Sequence, residues 1–293
     1  MNRETLAAID IGSNAIRLLI NYIESSGKVS FKKAAFLRVP IRLGEDVFTL
    51  GEISDNKRAK LVDAMGAFAA VMKTFNVKRY RACATSAMRE AANGADVVAE
   101  VREKSGINIE IITGNEEAET IFEAGDIAGL MGGSRHYLYV DVGGGSTEVT
   151  IYSNNKRIVS ESFPLGTVRS ISNAVDKSEQ RRFRDWLTNV ALPYKPTAII
   201  GTGGNINKVH KMLKKGDGET ISYIEMRLLY EQLKEMTYEQ RVTNLGLNIY
   251  RADVIVPAIK IFTTVAKCCH INEFVAPRVG LSDGIIHHLY HKL

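Results

Sequence analysis

Two stretches about 130 residues apart carry the same chemistry, Leu6-Ala7-Ala8-Ile9-Asp10-Ile11-Gly12-Ser13-Asn14 and Tyr137-Leu138-Tyr139-Val140-Asp141-Val142-Gly143-Gly144-Gly145-Ser146-Thr147. Each reads as a buried strand that ends in a carboxylate and a glycine turn. The chain runs on extended after each turn, over Ala15 to Ile23 and Glu148 to Ser153, which predicts strand-to-strand hairpins. Glycine permits positive φ, so successive backbone N–H groups converge on one point, and such a nest favours phosphate oxygens. Asp10, Asp141 and Glu148 are hard oxygen donors of the kind that hold Mg²⁺ or Mn²⁺ over those phosphates. Three consecutive glycines at a strand end are destabilising unless backbone must approach something closely. Gly143 to Thr147 is therefore the more specific copy, and Gly12, Ser13 and Asn14 gain weight from pairing with it. The duplication predicts two related domains facing each other across a phosphate-filled cleft.

Three further constellations bear on that chemistry. Gly201-Thr202-Gly203-Gly204-Asn205 follows an apolar strand and precedes a helix, so it reads as a nucleoside or phosphate seat at a helix N-terminus or as a plain turn. It departs from the G-x-G-x-x-G and Walker patterns, so neither a Rossmann cofactor nor a P-loop nucleotide is indicated. In Gly114-Asn115-Glu116-Glu117, acids in a first helical turn are explained by the macrodipole, or one of them orients a water for in-line attack on phosphorus. Arg89, in Ala84-Thr85-Ser86-Ala87-Met88-Arg89, either clamps phosphate or makes a surface ion pair. His287, His288 and His291 read as surface or packing residues, and no Ser/His/Asp or Cys/His nucleophile set assembles.

The elements that must position these residues repeat. The first half reads as a meander completed by Lys28 to Val39 after a turn at Ser26-Gly27, then a helix from Asp55 to Phe75 capped by Ser54. A strand at Tyr80 to Thr85, helical pieces at Ser86 to Ala92 and Ala95 to Glu103, and a strand at Ile107 to Ile112 follow. The second half repeats the meander with Tyr137 to Val142, Thr147 to Tyr152 and Arg157 to Phe163. Helices at Glu179 to Leu192, Ile206 to Leu213, Ile224 to Lys234 and Ala252 to Cys268 come next, interrupted by a strand at Ala198 to Gly201 and followed by a strand near Phe274 and a helix from Ser282. The boundary falls in a predicted helix from Glu116 to Leu130 or the Gly132-Gly133-Ser134 turn. This gives domains 1–125 and 126–293, with the last helix free to pack back on the first.

With 293 residues and 45% apolar composition, the chain can build real cores. A charge of +5, from 38 basic and 33 acidic residues, is too small and dispersed to mark a nucleic-acid binder but suits a polyanionic small substrate. Cys83, Cys268 and Cys269 form no disulfide framework and no zinc spacing, which points to a reducing cytoplasm. There is no signal-peptide pattern and no window of uninterrupted apolar residues long enough to span a membrane.

Taken together the motifs resemble the exopolyphosphatase and guanosine pentaphosphate phosphohydrolase family, within the actin, hexokinase and sugar-kinase superfamily. The resemblance runs nearly end to end, through Ala8 to Asn14, Arg42-Leu43-Gly44, Ala84 to Arg89, Thr113 to Ala118, Asp141 to Glu148, Gly201 to Asn205 and Arg251-Ala252-Asp253. It implies an α/β fold of two ribonuclease-H-like domains with mixed sheets flanked by helices, and Mg²⁺-dependent hydrolysis of phosphoanhydrides. Glu117 would be the catalytic base, and Asp141 would bind metal or position water, with Asp10 and Glu148 as further carboxylates. Gly12, Ser13 and Asn14 would oppose Gly143, Gly144, Gly145, Ser146 and Thr147 around the phosphates, with Gly203 and Gly204 nearby, and Arg89 would steady a phosphoryl group. A homodimer is the family-like expectation.

Two departures stand out. Ala15 replaces the usual Ser, and Leu281-Ser282-Asp283-Gly284 replaces Leu-Arg-Glu-Gly, which removes a cation. Long members of the family append helical domains after the two core domains with which this sequence ends, and the expectation is that short polyphosphate or a guanosine polyphosphate is as suitable a substrate as long polymer. A polyphosphate or alarmone sensor with little turnover, and an ATP-dependent small-molecule kinase, are the competing readings.

Overall fold

The computed structural model describes residues 3–24, 29–124, 136–154 and 156–292. The predicted Ser26-Gly27 turn, the end of the helix predicted to reach Leu130, and the Gly132-Gly133-Ser134 turn lie outside the described residues. The chain divides into two compact units, residues 1–125 with 280–293, and residues 126–279.

In the first unit β1 (Arg3–Ile11), β2 (Ile16–Glu24), β3 (Ser30–Val39), β4 (Arg79–Ala84) and β5 (Ile109–Ile111) form one sheet in the order β3-β2-β1-β4-β5. The meander is antiparallel, whereas β1–β4 and β4–β5 pair in parallel and need helical crossovers. Its helices are α1 (Leu43–Leu50), α2 (Asp55–Thr74), α3 (Ser86–Glu90), α4 (Gly94–Ser105) and α5 (Gly114–Glu123). The Ser54 hydroxyl accepts from the Lys57 N–H and starts α2, whose buried face is Leu61, Met65, Phe68 and Met72. That face packs on Ile9, Ile11, Ile16, Leu18 and Ile20 of the sheet. The other sheet face is covered by the last helix, Leu281–His291, which lies on β1 and α5. Gly284 allows that approach, because a Cβ there would overlap the Thr120 carbonyl.

In the second unit β6 (His136–Val142), β7 (Thr147–Ser153), β8 (Lys156–Phe163), β9 (Ala198–Thr202), β10 (Ile221–Ser222) and β11 (Glu273–Val275) take the order β10-β11-β9-β6-β7-β8. Apart from β10, which adds an antiparallel edge, this repeats the first sheet strand for strand. The helices of this unit are α6 (Thr167–Ile171), α7 (Lys177–Trp186), α8 (Gly204–Met212), α9 (Tyr223–Glu235), α10 (Tyr238–Thr243), α11 (Ile249–Ala252) and α12 (Ile255–Cys269); the last helix, α13 (Leu281–His291), belongs to the first unit. Leu138, Val140, Val149 and Ile151 pack against Ile259, Phe262 and Val265 of α12. Truncating fully buried Phe262 to alanine would cost about 3–5 kcal/mol.

The helix predicted from Glu179 to Leu192 is α-helical to Trp186 and then widens into a π turn over Leu187–Ala191. Pro193, which has no N–H to donate back, follows it. The helix predicted from Ala252 is two helices, broken at Asp253-Val254. Each unit is thus a mixed sheet flanked by helices, and the fold is α/β with two ribonuclease-H-like domains. No helix among the described residues is long and apolar enough to cross a membrane.

Candidate active site

Both glycine turns are strand-to-strand hairpins of one design. Gly12 N–H donates to the Ala15 carbonyl at 3.2 Å, and Gly143 N–H to the Ser146 carbonyl at 3.0 Å. Each loop is held from behind by a short helix that follows the third meander strand. In the first unit the Arg42 and Gly44 N–H groups, at the start of α1, donate to the Asn14 and Ser13 carbonyls at 3.1 and 2.9 Å. In the second, Thr167 N–H donates to Gly143 O at 3.0 Å, and Val168 and Arg169 N–H to Gly144 O at 2.8 and 3.1 Å. Arg169 Nε completes the set on Gly145 O at 2.8 Å. First-turn helix amides have no intrahelical partner, so the loop carbonyls satisfy them.

This backing corrects the reason given for the glycines. Among the described residues the left-handed glycines are Gly51, Gly106, Gly203, Gly218 and Gly246, and none belongs to either hairpin. The amides are aimed by peptide planarity instead. In a trans peptide the N–H points opposite to the preceding carbonyl. Carbonyls of Gly143, Gly144 and Gly145 tied to α6 therefore turn the Gly144, Gly145 and Ser146 N–H groups to the other side. The same geometry turns the Asn14 and Ala15 N–H groups away from α1. Gly166 makes the close contact possible, since a Cβ there would overlap the Gly144 backbone, and a Cβ on Gly44 would sit 2.9 Å from Ser13 Cβ.

Beside the second hairpin lies a buried acid pair. Asp141 and Glu148 stand directly opposite in the β6–β7 register, so their side chains share a face, and they are 7% and 1% exposed. Thr202 Oγ1 donates to Asp141 Oδ1 at 2.8 Å and itself accepts from the Tyr139 hydroxyl at 2.9 Å. Ser146 and Ser162 hydroxyls donate to Glu148 Oε1 at 2.6 and 2.9 Å. Gly203, at φ 95, passes close by, and a Cβ there would be 3.2 Å from Asp141 Oδ1. Two adjacent carboxylates out of water repel and call for a cation or a proton. The donors present are hard oxygens, which fit Mg²⁺ or Mn²⁺. No group of three or more His, Cys, Asp or Glu side chains suited to a metal occurs among the described residues. A divalent ion held by two carboxylates would complete its shell with water and phosphate oxygens, as Mg²⁺ commonly does.

Asp10 is placed differently. Its register partner on β2 is Arg17, in the position that Glu148 takes in the second unit, and the two form an ion pair. The carboxylate charge is thus met within its own hairpin.

The two glutamates of the α5 turn separate. Glu116 pairs with Arg81 at 2.7 Å on a side chain 43% exposed, and its N–H is capped by the Thr113 hydroxyl. Glu117, half-buried, follows it in the next helical position, with its N–H on the Thr113 carbonyl. Arg89 Nη1 donates to the Ile112 carbonyl at 2.7 Å, so it anchors the chain entering that turn. Thr147 Oγ1 is engaged by the Leu165 carbonyl, and the Gly204 carbonyl accepts from Arg251 Nη1 at 2.8 Å. Partial burial, then Arg251 and Lys211, push the Lys208 pKa down on the same helix.

The sequence reading missed α1 and α6, and with α6 Gly166 and Arg169; it also gave no role to Tyr139 and Ser162, or to Thr202 as a partner of Asp141. One signal was available: a Leu-Gly dipeptide follows the third meander strand in both halves, as Leu43-Gly44 and Leu165-Gly166.

Paired ribonuclease-H-like units with acid-flanked glycine hairpins define an actin-like ATPase fold. Within it the chain belongs to the Ppx/GppA phosphatase family, which it matches over residues 22–293. A Photobacterium profundum relative named guanosine-5'-triphosphate,3'-diphosphate pyrophosphatase is 26% identical across 98% of this chain, which spans 59% of that protein. A Haemophilus influenzae relative named as a candidate exopolyphosphatase is 24% identical, with 98% of this chain and 92% of that protein covered. The crystal structure of the Aquifex aeolicus family member superposes with a TM-score of 0.78 at 25% identity, covering 99% of this chain and 98% of that one. An exopolyphosphatase structure from Cytophaga hutchinsonii shares the fold at a TM-score of 0.84 and 24% identity, covering 99% of both chains.

Proposed function

We propose that this chain is a metal-dependent phosphoanhydride hydrolase that releases terminal phosphate from short inorganic polyphosphate or guanosine pentaphosphate. The observation that carries the reading is the buried Asp141–Glu148 pair set beside the Gly143–Ser146 loop, whose amides are turned outward by α6. The outward amides of both hairpins bind phosphate oxygens and meet the charge that develops on them. Asp141 and Glu148 would hold a divalent ion, which when bound would supply charge neutralisation on the phosphate. Asp10, balanced by Arg17, stays outside that set.

Glu117 accepts the proton of the attacking water as its oxygen bonds to the terminal phosphorus and the bridging oxygen departs. Arg89 holds the α5 turn in place through Ile112, and its remaining guanidinium N–H groups are available to a phosphoryl oxygen. Thr202, steered by Tyr139, keeps Asp141 in one orientation.

The test is phosphate release from triphosphate, short and long polyphosphate, guanosine pentaphosphate and ATP, with and without Mg²⁺. Metal-dependent release from the phosphoanhydride polymers or the alarmone is the expected result. Ligand-induced thermal stabilisation without release would make the protein a sensor, and ADP formation only with an alcohol acceptor would make it a kinase.

A further inference from the structure

The second unit contains a cavity of about 420 Å³ that the catalytic reading does not use. It opens among α6, α7, α9 and α12, and its size lies in the range of small-molecule pockets, roughly 300–1,000 Å³. Phe183, Val256, Pro257 and Ile261 make an apolar wall, and Arg184 and Lys260 supply two cations. No acidic residue lines it. Both cations are exposed, and neither is ion-paired among the described residues. Elsewhere on this chain basic side chains take acidic partners readily, as Arg81 and Arg182 each do twice. Asn173, Gln180 and Thr264 complete a lining with an apolar side and a polar side, and two cations without an ion-pair partner there are complementary to a molecule that has both an apolar body and a negative charge.

We propose that this cavity binds a small molecule that joins an aromatic or aliphatic body to one anionic group. The body occupies the apolar wall, and the anion takes charge-assisted hydrogen bonds from Arg184 and Lys260. One wall of the cavity includes Leu165 and Ser170, which flank and end α6. A ligand there rests against the helix that aims the Gly143–Ser146 amides, on residues distinct from the acid pair.

Fluorescence titration with 8-anilinonaphthalene-1-sulfonate, an aromatic anion, tests this on the full chain. A single saturable site is expected, with slowed amide exchange in residues 165–175 and 256–264. Combined Arg184→Glu and Lys260→Glu changes should weaken binding by about tenfold or more, the scale of one charge-assisted hydrogen bond. Thr264→Trp, which fills the hollow, should abolish it, and the uncharged N-phenyl-1-naphthylamine should bind about tenfold more weakly. Since Arg184 and Lys260 are exposed, the charge-reversed protein should keep the parental thermal midpoint. Absence of saturation, or affinity unchanged in the charge-reversed and cavity-filled variants, would overturn the proposal.

Discussion

Asp141 and Glu148 face each other across the β6–β7 hairpin, whereas the matching positions of the first hairpin hold Asp10 and Arg17. One substitution between the two copies, Arg for Glu, changes the electrostatics of the site. The first hairpin balances its own carboxylate. The second sets two buried carboxyl groups on a single face, oriented by Thr202, Ser146 and Ser162.

A cation held by the two carboxylates would stabilise the folded protein. Ligand at about 100 times its Kd adds ~2.7 kcal/mol to stability, so Mg²⁺ should raise the thermal midpoint of the parent protein by several degrees. Glu148→Gln keeps an oxygen to accept from the serine hydroxyls but removes the charge. Its metal-free midpoint should equal or exceed that of the parent, its response to Mg²⁺ should disappear, and phosphate release should fall by about 100-fold or more. A midpoint that still climbs with Mg²⁺ in this variant would place the metal elsewhere.

Glu117 and Glu116 are neighbours with opposite expected sensitivities. Glu117→Gln should lower kcat by about 10²–10⁴-fold, the usual worth of a general base, while calorimetry shows substrate still binding. Glu116→Gln removes a part-buried pair with Arg81, which keeps its second partner Glu110, and should leave kcat within about twofold. Equal losses in the two variants would remove the distinction drawn from their surroundings.

The strands and the duplicated hairpins were legible because burial pattern and glycine turns are local signals. Leu6 to Ile11 and Tyr137 to Val142 are apolar runs that end at the same chemistry. The two loop-backing helices were not legible. With five residues, Thr167–Ile171 has too few turns to show a period, and α1 carries acids in its first turn and only eight residues. Their role depends on contacts with loops more than twenty residues upstream, as with Arg169 Nε on Gly145, which no local pattern encodes. Asp10 carries the same motif as Asp141, and the two copies differ at Arg17, on the facing strand. Composition alone does not separate Glu116 from Glu117; the family motif points to Glu117, and the pairing of Glu116 with Arg81 of β4 gives the two different surroundings.

Gly166 offers a test of that backing contact. Gly166→Ala forces the new methyl group onto the Gly144 backbone, so α6 and the loop must part. Overpacking of this kind costs about 1–3 kcal/mol, and substrate affinity should fall with stability because the amides lose their aim. Gly66→Ala is the control. It sits inside α2 with nothing within 4 Å of the added Cβ, so it should stabilise by about 0.5–1 kcal/mol and leave affinity unchanged. Denaturant melts with parallel binding titrations separate the two outcomes.

Two carboxylates outside the acid pair should respond to pH with opposite signs. The hydrogen bond from Lys215, then those from Ser222, hold Glu225 at about 2 against an ordinary value of 4.5. A pKa depressed on folding contributes stability that is complete above the unfolded value and disappears as pH falls through the folded one. Glu225→Gln keeps the cap on α9 but loses that contribution. It should be less stable than the parent at pH 7, with the gap closing between pH 4.5 and about 2. Asp283 is the reverse case, because burial raises its pKa above 3.8 despite the Gly280 N–H on its Oδ2. Its charged form is a cost, present above the folded pKa and absent below 3.8. Asp283→Asn still accepts from Gly280, so it should be more stable than the parent at pH 7, and this advantage should vanish as pH falls. Thermal midpoints of both variants relative to the parent, measured from pH 7 down to about pH 2, should therefore approach zero from opposite sides. If the two differences instead moved in parallel, a general acid effect would account for them and the local environments of Glu225 and Asp283 would not.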